Sequence, residues 1–171
     1  MLNTKGSKQP EQVMVTCVGQ YIRKLSFDSL MNKHELAKIE AHKPVISLNI
    51  TTKQEKIGDT DHEVILLIEA ESRIGEKNEE VFKLQLEYAG IFKLEGQVEE
   101  SAKEEILLVN CITLLFPFAR RELAAITLGG GYQPLMLDPI DFRSSYLQYK
   151  QMIANENANP LPTNVAKQSS L

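Results

Sequence analysis

The chain has 171 residues, of which 43% are hydrophobic and 25% are charged, and its formal net charge is −4. This length fits one domain with a substantial core, and the composition is ordinary for a globular protein. Binding to nucleic acid requires clustered lysine and arginine, and the nearest basic stretch, residues 33–43, is interrupted by Glu35 and Glu40. We therefore expect no nucleic-acid partner.

The leader and the uncharged runs predict a cytoplasmic protein. The leader up to Glu11 is polar and lacks the apolar core of a signal peptide. The longest uncharged run, residues 106–119, is shorter than the roughly 20 residues that cross a bilayer. Cys17 and Cys111 have neither zinc-site nor redox-pair spacing. We expect no metal, no cofactor and no direct membrane insertion.

Four segments alternate apolar and polar residues with the period of a β-strand. In the first, Val13 to Phe27, the odd positions form one apolar face apart from Gly19, which favours a bulge, and Arg23. The next three strands are joined by short turns and therefore predict an antiparallel meander. Their inward residues are Ile46, Leu48, Ile50, Val64, Leu66, Ile68, Ala70, Phe82, Leu84, Leu86 and Tyr88. The connection after the first strand, residues 28–43, has the length of a functional loop.

Two helices are predicted after the strands. A capping box at Ser101–Glu104 begins the first helix, Pro117 bends it, and glycines 129–131 end it. Its apolar residues go almost all the way round, and one small sheet covers one side, so the other side needs a second subunit. Asp138-Pro139 begins the second helix. Its apolar stripe consists of Phe142, Tyr146, Tyr149 and Ile153.

These elements predict an α+β fold with a disordered leader at residues 1–12, a folded domain at 13–153 and a disordered tail at 154–171. Four motifs within the domain are specific in combination: Gln20–Asp28, Tyr88–Phe92, Leu115–Arg120 and Gly131–Phe142. Together they resemble the SecB family, over residues 13–152. The resemblance implies a four-stranded antiparallel sheet with two C-terminal helices on one face. It also implies a homotetramer, a dimer of dimers with the long helices at its centre.

The function that this resemblance implies is an ATP-independent holdase and not an enzyme. SecB-family proteins keep preproteins unfolded in the cytosol and deliver them to the ATPase SecA. No Walker-type phosphate loop occurs in the sequence. The expected partners are unfolded preproteins, SecA and further copies of this chain.

The family's client groove lies between the second helix and the connection after the first strand. The matching residues are Leu30, Met31, Leu36, Ile39, His42, Phe142 and Tyr146. His42 stands where many members have tryptophan. An ordinary core role for Phe142 and Tyr146 is the alternative.

Two further surfaces follow from the resemblance. The family binds a basic, zinc-bearing SecA tail on the acidic outer side of the sheet, and the zinc belongs to SecA. The matching positions are Lys24, Asp28, Lys83, Gln85 and Glu87. Because Lys24 and Gln85 replace common carboxylates and Lys83 adds a positive charge, we expect weak docking. The expected oligomer interface consists of Leu107, Cys111, Leu114, Leu115 and Phe118.

The three histidines do not indicate a metal site, and two other classes of protein are alternatives. His34, His42 and His62 have no ligand spacing and are expected to be solvated surface residues. A hot-dog-type thioesterase also wraps a sheet around an apolar helix, but here the helices follow all four strands. A SecB-like chaperone dedicated to one partner, such as an antitoxin, stays open as an alternative.

Overall fold

The fold is an antiparallel sheet with helices on one face. The computed structural model describes residues 13–30, 44–156 and 167–169. β1 spans Met14–Ser29, β2 Val45–Lys56, β3 Asp61–Ile74 and β4 Glu79–Glu95, and a short β5 spans Lys167–Ser169. The order across the sheet is β1-β4-β3-β2-β5, with every neighbouring pair antiparallel. The predicted α+β class, with four main strands followed by two helices, is confirmed.

The alternation predicted for β2, β3 and β4 is observed. Inward side chains such as Leu66, Ile68 and Leu86 are completely buried beneath the helices. Those of β2, including Leu48, are partly buried and pack against the same core. We call this side of the sheet the helix face and the opposite side the outer face. The meander from β2 to β4 is confirmed.

β1 is interrupted by two bulges. The first lies at Val18, next to Gly19, where the sequence predicted one. The second lies at Arg23, where no sequence signal marks it. A bulge inserts one residue into a strand and so moves the following side chains to the opposite face.

The bulges change the face that each β1 side chain occupies. Tyr21 lies between them and pairs with Ala89 on the outer face. Leu25 follows the second bulge and pairs with Leu86 on the helix face. The predicted single apolar face made of all odd-numbered residues is therefore wrong.

The long helix packs across the sheet. It consists of α1 (Glu100–Glu105), a π-helical segment (Ile106–Cys111) and α2 (Ile112–Gly129), which follow one another with helical dihedral angles at each junction. It ends at the predicted glycines and contains Pro117. Close packing depends on Gly90 of β4, where a Cβ atom would lie 2.8 Å from Leu115. A side chain at this position would force the Phe92 ring and the end of the Leu115 side chain to shift.

The start of the long helix differs from the prediction. The residue before the first helical one is Glu99, and its side chain makes no capping hydrogen bond. The capping box predicted at Ser101 is wrong, because Ser101 already lies inside α1. The Lys103 N–H bonds instead to the backbone oxygen of Glu99 at 2.9 Å.

The second helix, α3, spans Phe142–Glu156 and also begins later than predicted. Its capping residue is Asp141 rather than Asp138, so the predicted start at Asp138-Pro139 is wrong. The Asp141 carboxylate accepts the Ser144 N–H at 3.0 Å and the Ser144 hydroxyl at 2.7 Å. These bonds, led by the one from the hydroxyl, hold the pKa of Asp141 below its usual value.

The C-terminal part of the fold extends past the expected domain boundary. α3 continues to Glu156, beyond the expected limit at residue 153. Lys167–Ser169, within the stretch expected to be disordered, pairs as β5 with the start of β2. The expected leader, residues 1–12, and the tail residues 157–166 and 170–171 lie outside the described residues.

Candidate functional site

α3 is attached to the long helix through buried aromatic rings. Phe142 is 6% exposed and packs edge-on against Phe116, with ring centroids 5.4 Å apart. Tyr146 is 8% exposed, and its hydroxyl donates a hydrogen bond to Glu104 at 3.0 Å. Both rings are buried in the protomer, which is the core role that the sequence left open as the alternative to the groove.

A polar cluster strengthens this attachment. Glu104 of α1 accepts a hydrogen bond from Lys150 Nζ at 2.8 Å in addition to the one from Tyr146. The Lys150 bond favours the ionised carboxylate and is the main cause that lowers the pKa of Glu104. Burial, followed by the bond to Glu104, raises the pKa of Tyr146. Arg143 adds a second link to α1 through Glu105 at 3.1 Å.

Apolar side chains on and beside α3 stay exposed. Tyr149 continues the stripe of Phe142 and Tyr146, yet it is 51% exposed. Leu147 of α3 and Met136, in the segment that leads into α3, are exposed to a similar degree. These three side chains are therefore available for contact with a partner.

Sequence reasoning did not single out Met136 or Leu147 as surface residues for binding. The helical spacing of Tyr149 placed it on the stripe that packs inward, but spacing does not tell how far the packing partner extends. In the structure the long helix covers Phe142 and Tyr146 and leaves Tyr149 uncovered. Of the remaining groove residues, Leu30 is 47% exposed at the end of β1. Met31, Leu36, Ile39 and His42 lie outside the described residues.

The expected oligomer interface divides into two sets in the structure. Leu107, Cys111 and Leu115 are at most 2% exposed and form part of the core beneath the long helix. Their assignment to an interface is wrong, because they already contact the chain's own sheet. Burial raises the pKa of the Cys111 thiol to about 12. Leu114 and Phe118 are exposed and lie one turn apart on the opposite side of α2.

β1 adds more uncovered apolar surface. Val15, Ile22 and Leu25 pair with helix-face residues of β4 but remain at least 40% exposed. β1 is also an edge strand, so one row of its backbone hydrogen-bonding groups has no neighbouring strand among the described residues. The exposed side of α2 and the helix face of β1 thus lie on the same side of the sheet.

The five expected SecA-docking residues do come together on the outer face of β1 and β4. Lys24 lies opposite Glu87, and Asp28 lies opposite Lys83. Opposite charges at directly paired positions of an antiparallel sheet attract each other. Gln85 donates a hydrogen bond to Glu69 of β3 at 3.3 Å. The charges of these docking residues therefore balance, with two cations against two carboxylates.

An open cleft of about 430 Å³ lies beside these residues on the outer face. Its apolar residues are Ile65 and Leu67 of β3. Its charged residues are Arg23, Lys24, Lys53, Glu55 and Glu87. The Arg23 guanidinium lies 3.9 Å from the carboxylate of Glu87 and 3.8 Å from that of Glu63. The second β1 bulge, which the sequence did not reveal, places Arg23 at this cleft.

His62 is buried, so its expected position on the solvated surface is wrong. It pairs with Phe92 on the helix face of β3 and is 2% exposed. Its Nδ1 atom has no hydrogen-bond partner among the described residues. Burial is the main cause that lowers the pKa of His62, and the nearby charges of Lys103 and Lys56 add to it.

Within residues 13–30, 44–156 and 167–169, no three His, Cys, Asp or Glu side chains are grouped so that they could hold a metal ion. In the same ranges, no helix combines the length and the apolar character needed to span a membrane.

Residues 8–153 match the model of the family described as "Preprotein translocase subunit SecB". This match includes all four main strands, the long helix and most of α3. The chain belongs to the SecB family. It is accordingly a chaperone of protein export, and preproteins are its substrate class.

Several curated SecB proteins are similar to this chain over most of its length. The "Protein-export protein SecB" of Afipia carboxidovorans is 36% identical over 143 residues, which cover 84% of this chain and 86% of that protein. The protein of the same name from Parvibaculum lavamentivorans is 34% identical and covers 92% and 91%. That of a Bradyrhizobium species is 38% identical and covers 81% and 82%.

A solved SecB-like structure supports the fold. It is a SecB-like chaperone of Mycobacterium tuberculosis in complex with a peptide from an antitoxin. The TM-score is 0.60 at 13% identity, and the similarity covers 74% of this chain and 90% of that chain. At this identity the likeness concerns the fold alone.

Proposed function

We propose that this SecB-family chain is an ATP-independent holdase that acts in the cytoplasm and passes unfolded preproteins to SecA. The observation that carries the proposal is the match of residues 8–153 to the SecB family, and the half-exposed side chains Met136, Leu147 and Tyr149 on and beside α3 are the candidate client contacts. An unfolded preprotein presents apolar side chains in many sequences. A surface of flexible methionine and adaptable aromatic side chains suits such varied partners.

The client surface proposed here differs in part from the one expected from sequence. Tyr149, Leu147 and Met136 take the place of Phe142 and Tyr146, which belong to the core. Leu30 stays in the proposed surface because it is exposed where β1 ends. Met31, Leu36, Ile39 and His42 stay in it on the strength of the family resemblance.

The proposed assembly is a homotetramer built as a dimer of dimers. Leu114 and Phe118 of α2 and Ile22 and Leu25 of β1 supply apolar surface on the same side of the sheet. Burying such side chains between copies stabilises the assembly by about 25 cal/mol for each Å² of apolar surface that is removed from water. The open edge of β1 gives a second reason for a neighbour, because unpaired strand edges readily pair with another chain.

The outer face is the proposed docking site for SecA. Its docking residues Lys24, Asp28, Lys83 and Glu87 are charged, but their charges balance. A basic tail therefore meets little net attraction from this set. We propose that SecA docks here weakly.

The second candidate is a SecB-like chaperone dedicated to one partner. It stays open because the M. tuberculosis chaperone of the same fold was solved with an antitoxin peptide. A dedicated chaperone is expected to bind one peptide tightly and to leave unrelated unfolded chains alone.

One experiment tests the proposal and separates the two candidates. The purified protein is added to an unrelated, chemically denatured enzyme that is then diluted into buffer without ATP. A general holdase delays the recovery of enzyme activity in proportion to its own concentration. Recovery at the same rate with and without the protein would contradict the general function and favour the dedicated one.

A further inference from the structure

The hydroxyl of Tyr132 connects three segments of the fold. It donates a hydrogen bond to the backbone oxygen of Val81, at the start of β4, at 3.2 Å, and it lies 2.6 Å from the hydroxyl of Ser29 at the end of β1. The same Val81 oxygen accepts the N–H of Leu30 at 3.0 Å. We call Ser29, Leu30, Val81 and Tyr132 the Tyr132 node.

The ring of Tyr132 is held firmly in this position. Its centroid lies 5.1 Å from that of Phe82 and 6.2 Å from that of Phe27. Its backbone N–H donates to the oxygen of Thr127 in α2 at 3.0 Å. Gly130 allows the chain to approach this closely, since a Cβ atom there would lie 2.6 Å from the Phe27 ring. The hydroxyl therefore has little freedom to leave Val81 and Ser29.

The node lies between two parts of the chain that carry exposed apolar residues. Leu30 is the last described residue before the connection that crosses from β1 to β2. Tyr132 follows the long helix and begins the segment that carries Met136 and leads into α3. The node thus links the exposed Leu30 to the segment that carries the exposed Met136.

We propose that Tyr132 is a positioning residue for the client surface. Its hydroxyl fixes the exit of the chain from β1 relative to the segment that carries Met136 and α3. A surface that is fixed before binding loses less conformational freedom when a client binds, and therefore binds more tightly. This inference rests on the proposed holdase function, because it concerns the same surface.

Tyr132→Phe tests the proposal by removing the hydroxyl and keeping the ring. Two quantities are measured: the amide hydrogen exchange rate of Leu30 and the dissociation constant for a fluorescent, permanently unfolded polypeptide. Loss of a hydrogen bond of ordinary strength predicts that both rise about two- to tenfold. Ser29 is exposed and tolerates truncation. Ser29→Ala is expected to raise the Leu30 exchange rate and the dissociation constant as well, but by a smaller factor.

The matched control is Tyr21→Phe, which also removes a tyrosine hydroxyl from a hydrogen bond, the one with Glu63 on the outer face. We expect this variant to leave both quantities unchanged. A purely structural role of Tyr132 would lower the melting temperature and leave client affinity unchanged. If the wild type binds the unfolded polypeptide, and both Tyr132→Phe and Ser29→Ala bind it with the same affinity, this proposal alone is overturned. A wild-type protein that binds no unfolded chain overturns the proposed function as well.

Discussion

At the scale of single residues, Glu104 shows how one carboxylate fixes α3 to the long helix. It accepts hydrogen bonds from Tyr146 and Lys150, and the latter is the main cause that lowers its pKa. Its pKa is therefore lower in the folded chain than in the unfolded chain. The resulting stabilisation is fully present above the unfolded-state pKa and is lost as the pH falls through the folded-state pKa.

We expect Glu104→Gln to lower the stability of the fold at pH 7 by about 1 kcal/mol, since the group is only partly screened by solvent. Thermal unfolding measured from pH 7 down to pH 3 should show this difference shrinking as Glu104 becomes protonated in the wild type. The control is Glu100→Gln, because the Glu100 side chain is 86% exposed and lies 3.8 Å from Lys103. A difference between Glu104→Gln and wild type that persists at the acid end would contradict the assignment.

Protonation of His62, like that of Glu104, lowers the stability of the fold as the pH falls, but it does so in a higher pH range. Its pKa is lowered on folding, chiefly by burial, and Lys103 and Lys56 oppose its protonation while Glu100 and Asp61 favour it. The unfolded chain therefore binds a proton more readily, and stability falls as the pH decreases below about 6.5. We expect His62→Gln to unfold with a flatter pH dependence between pH 7 and 5 than the wild type. Parallel stability curves for the two proteins would show that His62 is not the group responsible.

At the scale of elements, the long helix presents two sides with different roles. Leu115 lies on the covered side and is completely buried, whereas its neighbour Leu114 is 45% exposed. Adjacent residues on a helix point about 100° apart, so these two leucines test the two sides separately.

We expect Leu115→Asp to unfold the chain, because an unpaired charge in the core costs several kcal/mol, on the order of 3–5. Leu114→Asp should leave the protomer folded and weaken the assembly. Circular dichroism reports the first effect, and sedimentation velocity at micromolar concentration reports the second. A wild-type protein that sediments as a stable monomer would contradict the proposed assembly.

Periodicity revealed most of the elements but did not determine which residues they expose. The alternation in β2 to β4 follows from strand geometry, and both helices were recognised from their apolar spacing. The bulge at Arg23 was missed because it depends on pairing with β4, which a single strand's sequence does not contain. The apolar residues around the long helix indicated two covering partners. The position of the sheet was needed to show that Leu115 faces inward and Leu114 outward.

At the scale of the whole molecule, the sheet separates two surfaces of different chemistry. The helix face and the helices carry most of the exposed large apolar side chains, whereas the outer face between β1 and β4 is mainly charged and also exposes Tyr21. Clients and SecA are therefore proposed to bind on different sides of the protomer. Such an arrangement lets a SecA tail bind without displacing the preprotein.

Lys24→Asp combined with Lys83→Leu should tighten the binding of a basic SecA tail. The change removes two cations and adds a carboxylate on the outer face, and exposed charges contribute about 0.2–1 kcal/mol each. Titration of the cognate tail and of a strongly basic tail, at low and moderate salt, measures the effect. Tight binding of the basic tail by the wild type, unaffected by the double substitution, would show that other residues bind it.

The most direct test of the holdase account is the affinity of the intact protein for a permanently unfolded polypeptide, measured without nucleotide. The wild type is predicted to bind it, Tyr149→Asp is predicted to weaken binding severalfold, and Glu76→Asp, in the turn between β3 and β4, is predicted to bind like the wild type. Sedimentation confirms that the assembly is unchanged in both variants. Wild-type protein that does not bind the unfolded chain, or equal affinity for wild type and Tyr149→Asp, would contradict the account.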